Sequence, residues 1–197
     1  MKLTVATYNI AAGLSNGYFK KKNYYKSAEV IKSIGADIIT LNEVGKPLPS
    51  FISEHTKFLA DYCGYKYFTF AKATSFRSFP YGNAILSKLP IQDVNVIPVR
   101  RFFNILPGIY EPRCVLVALI KGQENLRIIS THLGLLPNEQ KYGLKEVLTQ
   151  IGQSDTPTVF TGDLNINGVK NLTNRIQPIR EILNDVCDNK RLVTYPA

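Results

Sequence analysis

The chain alternates between short apolar segments and longer segments whose apolar residues recur at helical spacing. Eight segments rich in apolar and β-branched residues predict strands, namely residues 3–9, 37–41, 65–70, 83–87, 94–99, 114–120, 126–131 and 158–161. Helical periodicity predicts four helices, around residues 24–34, 51–62, 144–151 and 176–183. Several middle strands follow one another without a helical pattern between them, which favours antiparallel pairing. Two packed sheets flanked by helices would bury these elements most economically.

The composition is that of a globular protein with a strongly basic charge. Apolar residues make up 45% and charged residues 20% of the 197 residues, which suits one domain. The net charge of +9 favours polyanionic partners, although lysines that only keep the surface soluble would give the same figure. Three cysteines without a C-x-x-C pair argue against a disulfide framework. The sequence shows no usual signal peptide and no transmembrane segment, so we expect a cytoplasmic protein. The sequence does not indicate its oligomeric state.

Polar side chains stand at the ends of four predicted strands, and they are the main functional signal. Asn9 ends the first strand, Glu43 the second and His132 the seventh, while Asp163 and Asn165 follow the eighth. Any one of them alone is more often a cap or a turn former. Strand ends present side chains to clefts, however, and four such sites with complementary chemistry indicate a functional site.

The residue types in this set suit the hydrolysis of a phosphate ester. Carboxylates are hard ligands for Mg²⁺ or Mn²⁺, and a phosphodiester needs a metal ion, a group that orients water and donors for the phosphoryl oxygens. The chain lacks the motifs of two other hydrolase classes. It has no H-E-x-x-H, which would indicate a zinc protease, and no G-x-S-x-G, which would indicate a Ser–His–Asp hydrolase. A Walker A loop is also missing, so the sequence does not indicate use of nucleoside triphosphates.

Five ordered motifs resemble those of the endonuclease/exonuclease/phosphatase superfamily, also called the pancreatic-DNase-like fold. They are Thr7-Tyr8-Asn9-Ile10, Leu41-Asn42-Glu43-Val44, Gly82-Asn83-Ala84-Ile85-Leu86-Ser87, Ser130-Thr131-His132-Leu133 and Thr161-Gly162-Asp163-Leu164-Asn165. Two segments, Glu111-Pro112-Arg113 before a strand and Thr131-His132-Leu133-Gly134-Leu135 before a helix, further resemble the bacterial small-hydrolase branch. The resemblance implies an α/β fold, a four-layer αββα sandwich in which two packed mixed sheets are flanked by helices.

The resemblance also implies a role for each strand-end residue. Glu43 would be the principal metal ligand, with Asn9 beside it in the metal and water network. Asp163 would orient or activate the attacking water. Asn165 and His132 would bind the scissile phosphate and stabilise its transition state.

Two further residues are candidates for substrate binding on the same grounds. Asn83 would support the site from behind, and Arg113 would contact a phosphate. The implied cofactor is Mg²⁺ or Mn²⁺.

The chain departs from the family's pattern near its last residues. Members continue with an Asp in a strand motif and then an Asp-His pair, neither of which occurs before Ala197. We therefore expect one domain over residues 1–197 that is C-terminally truncated, with the last strands of one sheet missing and little activity.

The sequence leaves the substrate open. The leading hypothesis is a phosphodiesterase of endonuclease type, with nucleic acid slightly ahead of lipid headgroups as the substrate. One alternative is a phosphatase or phospholipid phosphodiesterase of the same superfamily. The other is a catalytically inactive module that binds nucleic acid or phosphate headgroups. Residues 19–26 mix cations with aromatics, which could contact a nucleic-acid backbone. Residues 100–113 are apolar enough to contact lipid or line a pocket, or simply to cover the core.

Overall fold

The computed structural model describes residues 2–13, 24–45, 52–76, 79–99 and 111–186, which belong to two compact units, residues 1–165 and 166–197. All eight predicted strands are present in the first unit: β1 Val5–Asn9, β2 Ile38–Val44, β3 Tyr67–Phe76, β4 Phe79–Ser87, β5 Ile91–Pro98, β6 Cys114–Ile120, β7 Leu126–His132 and β8 Thr158–Asp163. The same unit contains a 3₁₀ turn, Ala11–Gly13, and three helices, α1 Tyr24–Ile34, α2 Ile52–Cys63 and α3 Pro137–Ile151.

The strands form two four-stranded mixed sheets. Their orders are β1-β2-β4-β3 and β5-β6-β7-β8. The middle strands pair antiparallel, as their short connections predict, whereas β1 pairs with β2 and β7 with β8 in parallel. Each parallel pair is joined by a helical crossover, α1 in one sheet and α3 in the other, because parallel neighbours need a long connection.

Two layers of apolar side chains hold the sandwich together. Helices α1 and α2 pack on the outer face of the first sheet around Ile31, Leu41 and Leu59. Between the sheets, Ile38 and Ile85 of one sheet meet apolar residues of the other, among them Leu116 and Ile128. Because α3 contacts β6 and β7 on the second sheet, the first unit is an αββα sandwich. The four-layer fold implied by the family resemblance is confirmed.

The second unit contains the helix α4, Val169–Arg180, which begins before the predicted segment of residues 176–183 and ends three residues before its last apolar position. The last turn tightens, because the Ile182 N–H donates to the Ile179 carbonyl three residues back. Ile182 therefore lies beyond the helix and is exposed. Within the described ranges, no helix is both long and apolar enough to cross a membrane.

Gly162 allows β8 to approach β7 closely just before the candidate site. Its φ is +138°, and a Cβ at this position would lie 1.9 Å from the carbonyl oxygen of Thr131. A larger residue would therefore have to push the two paired strands apart.

We expect Gly162→Ala to lower the free energy of unfolding by about 2–4 kcal/mol, because the added methyl group clashes with backbone. Urea denaturation would measure the loss. The matched control is Gly152→Ala, where a Cβ would make only ordinary contacts at 3.7 Å or more. Equal stability of the two variants would contradict the close approach.

Candidate active site

Four strand ends meet at one end of the sandwich and bring the predicted polar residues together. Asn9 ends β1 and Asp163 ends β8, yet the Asn9 Nδ2 atom lies 2.9 Å from the Asp163 Oδ2 atom. His132 ends β7, with its Nε2 atom 4.0 Å from Glu43 Oε1 and 3.9 Å from Asp163 Oδ2. Asn165 completes the group, its Nδ2 atom 2.9 Å from His132 Nε2. Residues up to 156 positions apart in the sequence thus share one small region.

A β-bulge directs Glu43 into this region. In the pairing of β2 with β4, Leu41 is opposite Ala84 and Val44 is opposite Gly82, so two residues of β2 face Asn83 alone. Glu43 adopts φ +58° within the bulge, a left-handed conformation that costs a non-glycine residue about 1–2 kcal/mol. Bulges of this kind change the direction of a side chain next to functional sites.

The amide of Asn9 links the two carboxylates. Its Nδ2 atom donates to Glu43 Oε1 at 3.0 Å and to Asp163 Oδ2 at 2.9 Å, and its Oδ1 atom accepts from the Ala11 N–H at 2.9 Å. The side chain is therefore held at both ends. It sets the separation of the Glu43 and Asp163 carboxylates.

His132 is surrounded by donors. The Nη1 atom of Arg113 lies 3.0 Å from its Nδ1 atom, while the amide of Asn165 approaches its Nε2 atom and also donates to the Leu133 carbonyl at 2.8 Å. The Asn165 backbone N–H donates to Asp163 Oδ1 at 3.0 Å. Asn165 has φ +50°, which asparagine tolerates better than most residues.

Burial and charge keep the His132 ring neutral near pH 7. Its pKa falls to about 4, chiefly because burial disfavours the imidazolium and secondly because the Arg113 cation is adjacent; the Asp163 and Glu43 carboxylates oppose this shift only in part. Tyr81 has a raised pKa, chiefly because it is buried and secondly because it lies near the Glu43 and Glu111 carboxylates. Its phenol therefore stays protonated.

Asn83 and Arg113, the two weaker sequence candidates, take different positions. Asn83 is buried behind the site, where its Oδ1 atom accepts from Asn42 at 2.9 Å and its Nδ2 atom approaches the Cys114 carbonyl at 3.4 Å. Arg113 borders the site through His132 and also pairs with Glu111 Oε2 at 3.3 Å. Most of residues 19–26 and 100–113, named above for substrate choice, lie outside the described residues.

Asn42 is a site residue that sequence reasoning missed. It is fully buried, its Nδ2 atom donates to Asn83 and to the Thr131 carbonyl of the second sheet at 3.1 Å, and its Oδ1 atom accepts from the Asp163 N–H at 3.0 Å. One side chain thus ties β2 to the strands that carry His132 and Asp163. The signal was present, since an asparagine in an apolar buried strand needs a polar partner.

Gln140 and Tyr81 were also missed. Gln140 on α3 is buried and its Nε2 atom donates to the Gly134 carbonyl at 3.1 Å and to the Asn165 carbonyl at 2.6 Å. It therefore joins the segments that follow β7 and β8. Neither residue stands out in the sequence, because a lone Gln on a helix and a Tyr in a strand usually have structural roles.

The donor set fits a hard divalent cation. The Glu43 and Asp163 side chains remain 28% and 33% exposed, and in the described part of the chain no lysine or arginine lies within ion-pair distance of either. Among the described residues, therefore, no positive charge compensates the two carboxylates that face the neutral imidazole. No group of three or more His, Cys, Asp or Glu side chains is arranged around a metal position among these residues. An ion here would thus need oxygens from water or substrate, as Mg²⁺ commonly does.

The model of the Endonuclease/Exonuclease/phosphatase family matches residues 6–184, and the chain belongs to this family. Members of the superfamily hydrolyse phosphoester bonds and generally depend on a divalent metal ion. A comparison with curated proteins found no match.

Solved structures with the same fold include proteins that act on different phosphoesters. An endonuclease/exonuclease/phosphatase from Beutenbergia cavernae DSM 12333 has a TM-score of 0.69 at 24% identity, over 83% of this chain and 47% of that protein. Sphingomyelinase C from Streptomyces griseocarneus has a TM-score of 0.64 at 16% identity, over 89% and 69%. ANGEL2, a 2′,3′-cyclic phosphatase, has a TM-score of 0.59 at 20% identity, over 84% and 54%. This chain thus spans about half the length of the Beutenbergia protein, and at these identities the similarity shows the fold alone.

We expect Asn42→Ala to loosen the Asp163 backbone, because the Asp163 N–H loses its acceptor and the loss of one buried partner costs about 1–3 kcal/mol. Amide hydrogen exchange would measure this change. In Asn42→Ala the exchange rate at Asp163 should rise relative to the wild-type protein by more than the rates at the amides of β6. Asn95→Ala, at an exposed position of β5, is the control and should leave the Asp163 rate unchanged. Unchanged protection of Asp163 in Asn42→Ala would contradict the assigned contact.

Proposed function

We propose that this chain carries the candidate active site of a metal-dependent phosphoester hydrolase, with phosphodiesters as the substrate class. One observation carries the proposal: Asn9, Glu43, His132, Asp163 and Asn165 converge at one end of the sandwich, in a chain of a hydrolase superfamily. Together they offer carboxylates for a cation and for water, and amide and imidazole groups for phosphoryl oxygens.

Glu43 would hold the Mg²⁺ or Mn²⁺ ion, assisted by Asn9. A bound ion supplies Lewis acidity at a phosphoryl oxygen. The Asn9 amide donates to the Glu43 carboxylate, so it restricts the orientation of Glu43 while the carboxylate keeps lone pairs for a cation. Because the side chain is 28% exposed, an ion can reach it from solvent.

Asp163 would orient the attacking water. Its Oδ1 atom accepts from the Asn165 N–H and its Oδ2 atom from Asn9, so the carboxylate cannot rotate freely. A fixed acceptor can hold a water in line with the scissile bond and take up its proton as the water oxygen bonds to phosphorus. The scissile P–O bond breaks in the same displacement, and the leaving oxygen takes a proton from solvent. Asn165 and neutral His132 would bind the phosphoryl oxygens and stabilise the charge that develops on them.

The charge of the chain supports a polyanionic substrate. A net charge of +9 would attract nucleic acid and acidic headgroups alike, and the related structures include a sphingomyelinase and a 2′,3′-cyclic phosphatase. Nucleic acid is slightly favoured as the substrate. Assays with Mg²⁺ on plasmid DNA, RNA, a chromogenic phosphodiester and phospholipid vesicles would separate these classes.

We expect Asp163→Asn to lower the rate of hydrolysis about 10²–10⁴-fold, because the amide still accepts a hydrogen bond but cannot take up a proton. The measurement is EDTA-sensitive turnover of whichever of the four substrates is cleaved. Asp155→Asn, at an exposed position, is the control and should hydrolyse the substrate as fast as the unsubstituted protein. Activity that survives in Asp163→Asn would exclude the role given to Asp163.

Assays of this chain beside a form with its reading frame extended test whether groups outside residues 1–197 are needed for activity. Activity in the extended form alone would place a needed group in the extension. Salt-sensitive binding without turnover in both forms would instead indicate a binding module. No binding and no turnover in either form would exclude both hypotheses.

We expect Mg²⁺ or Mn²⁺ to raise the melting temperature, because an ion that binds only the folded state stabilises it by about 2.7 kcal/mol at one hundred times its Kd. Differential scanning calorimetry with and without EDTA would measure the shift. Glu43→Gln should abolish the shift, whereas Glu124→Gln, at an exposed position, should keep it. An undiminished shift in Glu43→Gln would place the ion elsewhere.

A further inference from the structure

We propose that Arg113 is a positioning residue that fixes the tautomer of His132, so that the proton sits on Nε2 and points into the site. His132 then acts as a hydrogen-bond donor to a phosphoryl oxygen and not as a base. The functional consequence rests on the proposed hydrolase function. The tautomer itself does not, so the two ideas can fail separately.

The contact between Arg113 and His132 determines which ring nitrogen is unprotonated. The Nη1 atom of Arg113 lies 3.0 Å from His132 Nδ1. A guanidinium has only N–H donors and keeps its protons in proteins, so Nδ1 must accept. A neutral imidazole with an accepting Nδ1 carries its proton on Nε2. A doubly protonated ring, or the opposite tautomer, would direct an N–H at the guanidinium.

Arg113 is held in place by burial and by an ion pair, unlike an arginine that is simply solvated at the surface. Its side chain is only 10% exposed, and the Nη1 atom also forms an ion pair with Glu111 Oε2 at 3.3 Å. Among the described residues its Nε atom is buried without a hydrogen-bond partner. Such a group costs stability and calls for an explanation, and the contact of Arg113 with His132 supplies a functional one.

The other side of the ring supports the same tautomer. The Nε2 atom lies about equally far from two carboxylates, 4.0 Å from Glu43 Oε1 and 3.9 Å from Asp163 Oδ2, and a proton there is favoured by both negative charges. The amide of Asn165 competes as a neutral donor at 2.9 Å from Nε2. A charged donor makes the stronger hydrogen bond, so Arg113 takes the single acceptor nitrogen of the ring.

The result is a pair of converging donors without a shared acceptor. The Nε2–H of His132 and the Nδ2 atom of Asn165, which the Leu133 carbonyl holds in place at 2.8 Å, face each other. An oxygen that accepts from both would relieve this conflict. A phosphoryl oxygen has the lone pairs and the charge to do so, which explains why both side chains are fixed before substrate arrives.

The ¹⁵N NMR shifts of the histidine ring nitrogens test the tautomer directly, since protonated and unprotonated nitrogens resonate far apart. The chain has two histidines, so His132→Gln assigns the spectrum. In the wild-type protein without metal or with Mg²⁺ we expect a protonated Nε2 and an unprotonated Nδ1. A protonated Nδ1 in the wild-type protein would overturn the proposal without any variant.

Arg113→Met tests whether Arg113 sets this state. We expect the ring to shift toward the Nδ1–H tautomer, with kcat about 10–10³-fold lower and KM less affected. Arg113→Lys restores a donor and should recover the Nε2–H signature in part, which also covers a failure of Arg113→Met to fold. Arg127→Met, which removes an arginine that donates to the Gln150 carbonyl near the end of α3, is the control and should leave the tautomer unchanged.

The outcomes separate this role from a direct one. An unchanged tautomer in Arg113→Met would overturn the proposal, and a loss of kcat in that case would mean that Arg113 contacts substrate itself. A tautomer shift in a protein that hydrolyses no tested ester, either as this chain or with its reading frame extended, would support the role of Arg113 and exclude the proposed function.

Discussion

The buried amide of Asn42 joins the two sheets at the end of the sandwich where the candidate site lies. Its bonds to the Thr131 carbonyl and to the Asp163 N–H cross from the first sheet to the second. A similar contact, between the hydroxyls of Thr40 and Thr161 at 2.9 Å, lies deeper in the same interface. Hydrogen bonds specify register and angle more narrowly than apolar packing does, so they determine where the four strand ends meet.

The site built on this framework combines fixed geometry with uncompensated charge. Asn9 holds the Glu43 and Asp163 carboxylates together, although nearby negative charges repel and no cation of the described residues neutralises them. Glu43 also keeps a left-handed backbone conformation. Both features cost stability, and such costs persist at sites where binding of a ligand offsets them. A divalent cation is the ligand that would relieve the repulsion.

The fold was predictable from the sequence because its signals are local. Alternating or continuous apolar residues predict a strand, and apolar residues one turn apart predict a helix, because only that element places them all on a buried face. The missing helical pattern between the middle strands indicated antiparallel pairing. The ends of the helices were harder to predict. The helix α4 ends at Arg180 although apolar residues continue to Leu183, because a tightened turn satisfies its last carbonyls and no periodicity records that.

The amino-acid sequence by itself determined which chemical groups stand at the strand ends, since residue type and position along an element are local properties. Only the tertiary structure decided their partners. The bulge that directs Glu43, the amide of Asn42 behind Asp163 and the guanidinium of Arg113 against His132 depend on contacts between residues far apart in the chain. Such contacts follow from how sheets pack, because packing brings together groups that no sequence spacing relates.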